Sequence, residues 1–320
     1  MSLISKLRAG ALSLVLAAAP VTGFAQSTYF PPTAQLLQTA EALFEAALLR
    51  PAPRSATPAF DAASLASLSG EAVSLTAAAS SHDPATGAWQ LSDISVNLPA
   101  GRPKPLMTAD SALVWGLDAA ALAARFRGER LDETLRIFER IELSGVVLDL
   151  TDFSNKVDVL AAELSPDASR TYYEDATMDV SRLVLGGLTL HPWTHRAAEG
   201  EEAGLGAIRL ISAIARSFSL DTVLFEDAVS SQYVETDMVA GNMVYSYPRS
   251  LLSGYDRGRL GGGYQTGFSF NFDYDAEGLA PEAAELASFQ MSGRGSYGSW
   301  TGFDLSPLLK WGELGQLPPV

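Results

Sequence analysis

A chain of 320 residues that is 47% hydrophobic is long enough to bury a large core, and with no cysteine it must do so without disulfides. The formal charge is −15, from 37 acidic against 22 basic residues, which repels nucleic acid and anionic headgroups and excludes a nucleic-acid partner. The missing cysteine also excludes a thiol nucleophile and a lipid-modified N-terminal anchor.

Met1 to Ala25 reads as a cleaved secretory signal. Lys6 and Arg8 supply the positive start, Leu12 to Ala19 form an apolar stretch too short to span a bilayer, and Gly23-Phe24-Ala25 is a small-x-small cleavage site. Gln26 is then the first mature residue, in the periplasm or outside the cell, and no later stretch is apolar enough to be a transmembrane segment. Residues 26–60 are expected to form an N-terminal helix and a connector. Thr33 caps a helix to Leu49 whose stripe is Leu36, Leu37, Ala40, Leu43, Phe44, Ala47 and Leu48. Pro51-Ala52-Pro53 and Pro58 stiffen the connector and keep it from continuing the helix.

Residues 61–320 read as a single β-rich, repeat-like domain. Ala72-Val73-Ser74-Leu75 and Trp89 to Leu98 suggest a hairpin through Asp83-Pro84-Ala85-Thr86-Gly87. Ala119 to Phe126 is an Ala-rich helix with Asp118 as its cap. Asp132 to Phe138 and Gly206 to Arg216 are expected as helical runs feeding strands at Arg140 and Ser217. Ser217 to Phe272 is strongly strand-like, and Pro281 to Ser288 is expected as a short helix.

Across this domain runs a recurrent pattern of apolar-x-Gly/Asp-apolar-x-apolar. It occurs as Leu91-Ser92-Asp93-Ile94-Ser95-Val96, Leu143 to Leu148, Leu185 to Leu190 and Trp300 to Leu305, with degenerate copies at Phe225 and Leu260. Such self-similarity indicates one structural unit used repeatedly. In Leu183-Val184-Leu185-Gly186-Gly187-Leu188-Thr189-Leu190 the apolar residues change from odd to even positions, so a flat strand would turn half of them to water. A bulge or bend at Asp93, Gly145 and Gly187 restores one apolar face, and Gly or Asp tolerates the dihedrals required. The fold class expected is α+β: a repeated, mostly antiparallel bent sheet with short helices packed against it.

Catalytic signals are few. His191 and His195 flank Pro192, which makes a turn of the segment, and no third metal ligand is near. Asp273, Asp275 and Glu277 begin like a calcium loop, but the twelfth position is Ala284, so a solvated turn is the better reading. There is no Gly-x-Ser-x-Gly elbow, phosphate loop or dinucleotide fingerprint. No catalytic residue, cofactor or metal is assigned.

The export signal followed by repeated apolar-x-Gly/Asp-apolar strands resembles the AsmA-like periplasmic proteins of Gram-negative bacteria, over roughly Trp89 to Leu309. The resemblance implies a long bent sheet with an apolar inner face and a link to outer-membrane lipid homeostasis. This chain departs from that family in its cleavable signal and short length. Three functional classes fit these features: a non-enzymatic envelope protein of binding or structural type, with a lipid or envelope-protein partner; a lipid-handling protein with an apolar groove; or a secreted hydrolase with an acidic site.

Overall fold

The computed structural model describes residues 34–52, 60–70, 73–98, 104–152, 154–155, 171–192, 212–213, 215–236, 240–275 and 289–304. Eleven strands form one antiparallel sheet: β1 (Ser67–Ser69), β2 (Ser74–Thr76), β3 (Ala79–Asp83), β4 (Ala88–Asn97), β5 (Met107–Trp115), β6 (Leu135–Asp149), β7 (Thr171–Leu190), β8 (Phe218–Thr236), β9 (Ala240–Asp256), β10 (Arg259–Asp275) and β11 (Phe289–Asp304). Successive strands lie side by side from β4 to β11. β2 and β3 lie end to end along one edge of β4, β1 pairs outside β2, and the sheet does not close into a barrel. The expected hairpin is therefore real but built differently. β3, not the segment at Ala72–Leu75, runs into the turn, where the Asp83 carboxylate accepts from the Ala85 N–H and the Thr86 hydroxyl.

The repeat pattern corresponds to two rows of bends that cross the sheet. In one row, Asp93 stands opposite Asp110, then Gly145, Ser181, Asp227, Pro248, Gly267 and Ser296 follow, one residue per strand from β4 to β11. The other row passes through Gly116, Glu139, Gly187, Asp221, Gly254, Gly261 and Gly302. Glu139 and Gly145 on β6, Ser181 and Gly187 on β7, and Asp221 and Asp227 on β8 show the same spacing of six residues. Left-handed residues alternate between the rows. Asp93, Gly145, Asp227 and Gly267 have φ of 48, 59, 50 and 55°, on β4, β6, β8 and β10; Gly116, Gly187 and Gly254 have 61, 33 and 67°, following β5 and on β7 and β9.

At each row the strand turns over. Met178 and Val180, then Leu183 and Leu185, then Leu188 and Leu190 of β7 all face one apolar cluster, although their parity changes twice. Leu220, Val223, Phe225 and Ala228 of β8 do the same. Leu91, Ile94, Leu143, Val146, Leu148 and Leu185 are buried as expected, whereas Val96, Leu188 and Leu190 are half-buried. The device is a bend, not the inserted residue of a bulge, because pairing register is unchanged across Asp93, Gly145 and Gly187. Register shifts occur elsewhere, between Arg136 and Phe138 and between Tyr173 and Asp175.

Glycine is required at Gly145 for two reasons. Its φ of 59° disfavours a side chain, and a Cβ there would collide with the Asp110 carboxylate lying across the bend. Gly187 is similar: the guanidinium of Arg136 and the carboxylate of Asp221 meet over it, bridging β6 and β8.

Among the helices that accompany the sheet, those described from end to end are α1 (Ala34–Leu48), α2 (Ala62–Leu65) and α3 (Ala119–Phe126). Asp118 caps α3 as its sequence foretold, accepting from the Ala121 N–H at 2.9 Å, while Ala119 and Ala123 are buried in the main cluster. The expected helix at Asp132 to Phe138 is not formed. Residues 131–134 are irregular and Leu135 to Phe138 are strand, because pairing with Leu190 to Leu188 of β7 satisfies their backbone. Of the run Gly206 to Arg216, Ser212, Ala213, Ala215 and Arg216 are helical and the rest lies outside the described residues. Also outside them are the signal segment, Thr33 and the run Pro281 to Ser288.

Candidate functional site

Three places bring chemistry together: the apolar face, the clasp that holds α1, and a polar cluster at one end of the sheet. The apolar face spans the sheet from Trp89 and Leu91 to Phe272. Toward β10 it becomes aromatic, with Tyr245 edge-on to Phe272 and Phe268, Phe270 and Phe272 in sequence along one strand. The rings of Phe268 and Phe270 lie over Gly295 and Gly293 of β11, filling the space that side chains would take. Burial pushes the Tyr247 hydroxyl well above its ordinary pKa, so it stays neutral on this face.

α1 packs on the opposite face, within the band between the two rows. Ala40, Phe44 and Ala47 meet Val184, Leu224 and Leu251, one residue from each of three neighbouring strands. The apolar stripe read from sequence is thereby confirmed for the residues whose burial is described. Around this contact runs an ion network. Glu142, 7% exposed at its side chain, accepts from Arg50 at 2.9 and 2.8 Å, from Arg140 at 2.9 Å and from Arg182 at 3.1 Å. Burial opposes its charge, but the hydrogen bonds from the three arginines prevail and hold its pKa down to about 2. Arg140 also donates to the Ala47 and Leu49 carbonyls, satisfying the C-terminal end of α1. Arg249 lies 4.3 Å over the Phe44 ring and pairs with Glu41 of α1. The network is a clasp between helix and sheet, with every carboxylate engaged by arginine.

At the sheet end, the starts of β6 and β8 and the ends of β7 and β9 bring Thr134, His191, Ser219 and Asp256 together. Asp256 is held there by a two-residue hairpin, Arg257-Gly258, both with positive φ (45 and 94°), and it pairs directly with Ser219 in the register. The Ser219 hydroxyl donates to Asp256 at 2.6 Å, so His191 Nε2, 2.7 Å away, donates to the same oxygen, and Nδ1 accepts from Thr134 at 3.2 Å. Every proton in this chain points toward Asp256. Desolvation and the nearby Arg257 lower the His191 pKa, against the opposing pull of Asp256.

The residue types are those of a hydrolase triad, but the order is not. A nucleophilic serine gives its proton to an imidazole oriented by a carboxylate. Here the carboxylate accepts the serine's hydrogen bond directly, and its own pKa is lowered by that bond, so it is a weak base.

Only part of the metal-like string is described. Asp273 is exposed on β10 opposite Asn242 and Gln290, Asp275 ends that strand, and Glu277 and His195 lie outside the described residues. Among the described residues no group of three or more His, Cys, Asp or Glu is placed to hold a metal ion. Sequence reading missed the arginine clasp and the Ser219–Asp256 pair. The one legible signal for the clasp was a charged residue, Glu142, inside an apolar strand. No known protein family matches the sequence, and no curated protein or solved structure matches it either.

Proposed function

We propose that this chain is an exported envelope protein that acts by binding or by structural contact. The observation that carries this reading is the sheet itself. Two rows of bends gather most of the apolar side chains of β4 to β10 on one side, the patch under α1 lying on the other, and so give the fold one extended apolar face to present or enclose. No described helix is long and apolar enough to cross a membrane. The proposal includes signal cleavage before Gln26 and kinship with the AsmA-like periplasmic proteins, both of which rest on sequence pattern.

A lipid-handling role is the finer form of this proposal. It is supported by the half-exposed apolar side chains Met243, Leu260, Phe268 and Phe270, which border the buried part of the face. A groove that takes an acyl chain needs such a margin, whereas a fully closed core does not. Mass spectrometry of small molecules extracted from protein purified out of its native envelope tests both forms. A stoichiometric lipid supports the finer form; a protein free of lipid leaves only the broader one. N-terminal sequencing of the same sample tests export, and an intact Met1 in the membrane fraction overturns it.

A further inference from the structure

We infer that the outer edge of β11 is an interaction surface and that a second copy of this chain fits it, β11 against β11, antiparallel about a two-fold axis through Ser299. The inference rests on the sheet and is independent of any ligand on its apolar face.

The two ends of the sheet are unequal. One is a three-residue strand, β1, and the other is the sixteen-residue β11, which among the described strands pairs only with β10. A long free edge is normally blunted by proline, lysine or brevity, and β11 contains neither proline nor lysine. The backbone of this edge is a template for another strand.

The bends restrict which strand that is. Any strand that continues the sheet must turn over twice, six residues apart, at the rows through Ser296 and Gly302. A flat strand would meet the first bend and leave the ladder. With Ser299 opposite its own copy, each Gly302 falls opposite the other chain's Ser296, and both rows continue. The alternation continues too. In the row through Ser296 the left-handed residues sit on β4, β6, β8 and β10, so the strand after β11 is due to carry the next one, and the second copy places its Gly302 there. Face parity is kept, since residues equally far on either side of Ser299 fall opposite one another across the axis. Charge agrees as well: Arg294 of each copy falls opposite Asp304 of the other, whose existing bond to Arg259 comes from the β10 side. A contact of this kind is isologous and closes as a dimer.

Because the chain has no cysteine, Ser299→Cys introduces its sole thiol, and two thiols directly opposite on antiparallel strands are within disulfide reach. We expect wild-type protein to sediment as a dimer at micromolar concentration. Mild oxidation should cross-link Ser299→Cys nearly completely while leaving Ser81→Cys, exposed on β3, largely uncoupled. Ser299→Lys, which sets like charges on the axis, should sediment as a monomer with unchanged circular dichroism. A monomeric wild type, equal cross-linking of the two cysteine variants, or a different chain bound at this edge overturns the inference.

Discussion

Arg140 and Glu142 stand two residues apart on β6, share one face, and bond through Nε and Oε1 at 2.9 Å with side chains only 5 and 7% exposed. Neither charge would be tolerated there alone, because a buried ion without its partner carries an uncompensated desolvation cost. Glu142→Gln should therefore destabilise the protein by about 3–5 kcal/mol at neutral pH, the range for breaking a buried pair from one side. The same carboxylate predicts the acid behaviour. Its folded pKa, about 2, lies below its unfolded value, so its contribution is fully present above the unfolded value and is lost as pH falls toward the folded one. Denaturation midpoints followed from pH 6 to pH 2 should fall steeply for wild type and less steeply for Glu142→Gln. Parallel curves would show that the clasp is not what acid breaks.

Gly145→Val tests the bends. The substitution puts a β-branched side chain at a φ of 59° and drives it into the Asp110 carboxylate. Left-handed strain and overpacking together should cost roughly 2–4 kcal/mol. Asp93→Gly, at the same row but already left-handed, should be within about 1 kcal/mol of wild type, since glycine takes that conformation freely. Equal losses for the two variants in urea titrations would mean that the rows are incidental to stability.

Leucines on one strand should separate by burial. Leu183 is 1% exposed, so Leu183→Ala should cost about 2–5 kcal/mol, as in other filled cores. Leu188 follows the same motif on the same strand but is only half-buried, so its truncation should cost clearly less. A larger loss at Leu188 would mean that the apolar face is covered differently in solution.

The fold was legible where its cause is local. Asp93, Gly145 and Gly187 stand out because the parity of the neighbouring apolar residues changes there, and a strand keeps them on one face only by turning over. The pattern is only partly legible because only some strands spell it out. Gly254 and Gly267 do the same work within Leu252-Ser253-Gly254-Tyr255 and Gln265-Thr266-Gly267-Phe268, where serine, threonine and tyrosine dilute the apolar signal. Leu135 to Phe138 is strand, against its helical reading, because β7 offers a partner fifty or more residues away. The clasp is hidden for the same reason: Arg50 and Glu142 are 92 residues apart, and nothing in either neighbourhood names the other.

Ser219 should be inert as a nucleophile, and His191 should report why. Desolvation, then the charge of Arg257, lowers the His191 pKa, while Asp256 pulls the other way. A histidine whose folded pKa is depressed contributes stability above its unfolded value, and that contribution is lost as pH falls and the ring must charge. Titration of the ring by NMR should give a midpoint below the ordinary imidazole value, and Arg257→Gln should move it upward by removing the repulsion. Since the Ser219 proton goes to Asp256 at 2.6 Å and not to the ring, a fluorophosphonate probe should leave Ser219 unlabelled at neutral pH. Stoichiometric labelling, or a His191 midpoint above the ordinary value, would mean that the proton order is reversed in solution and that the cluster is a working triad.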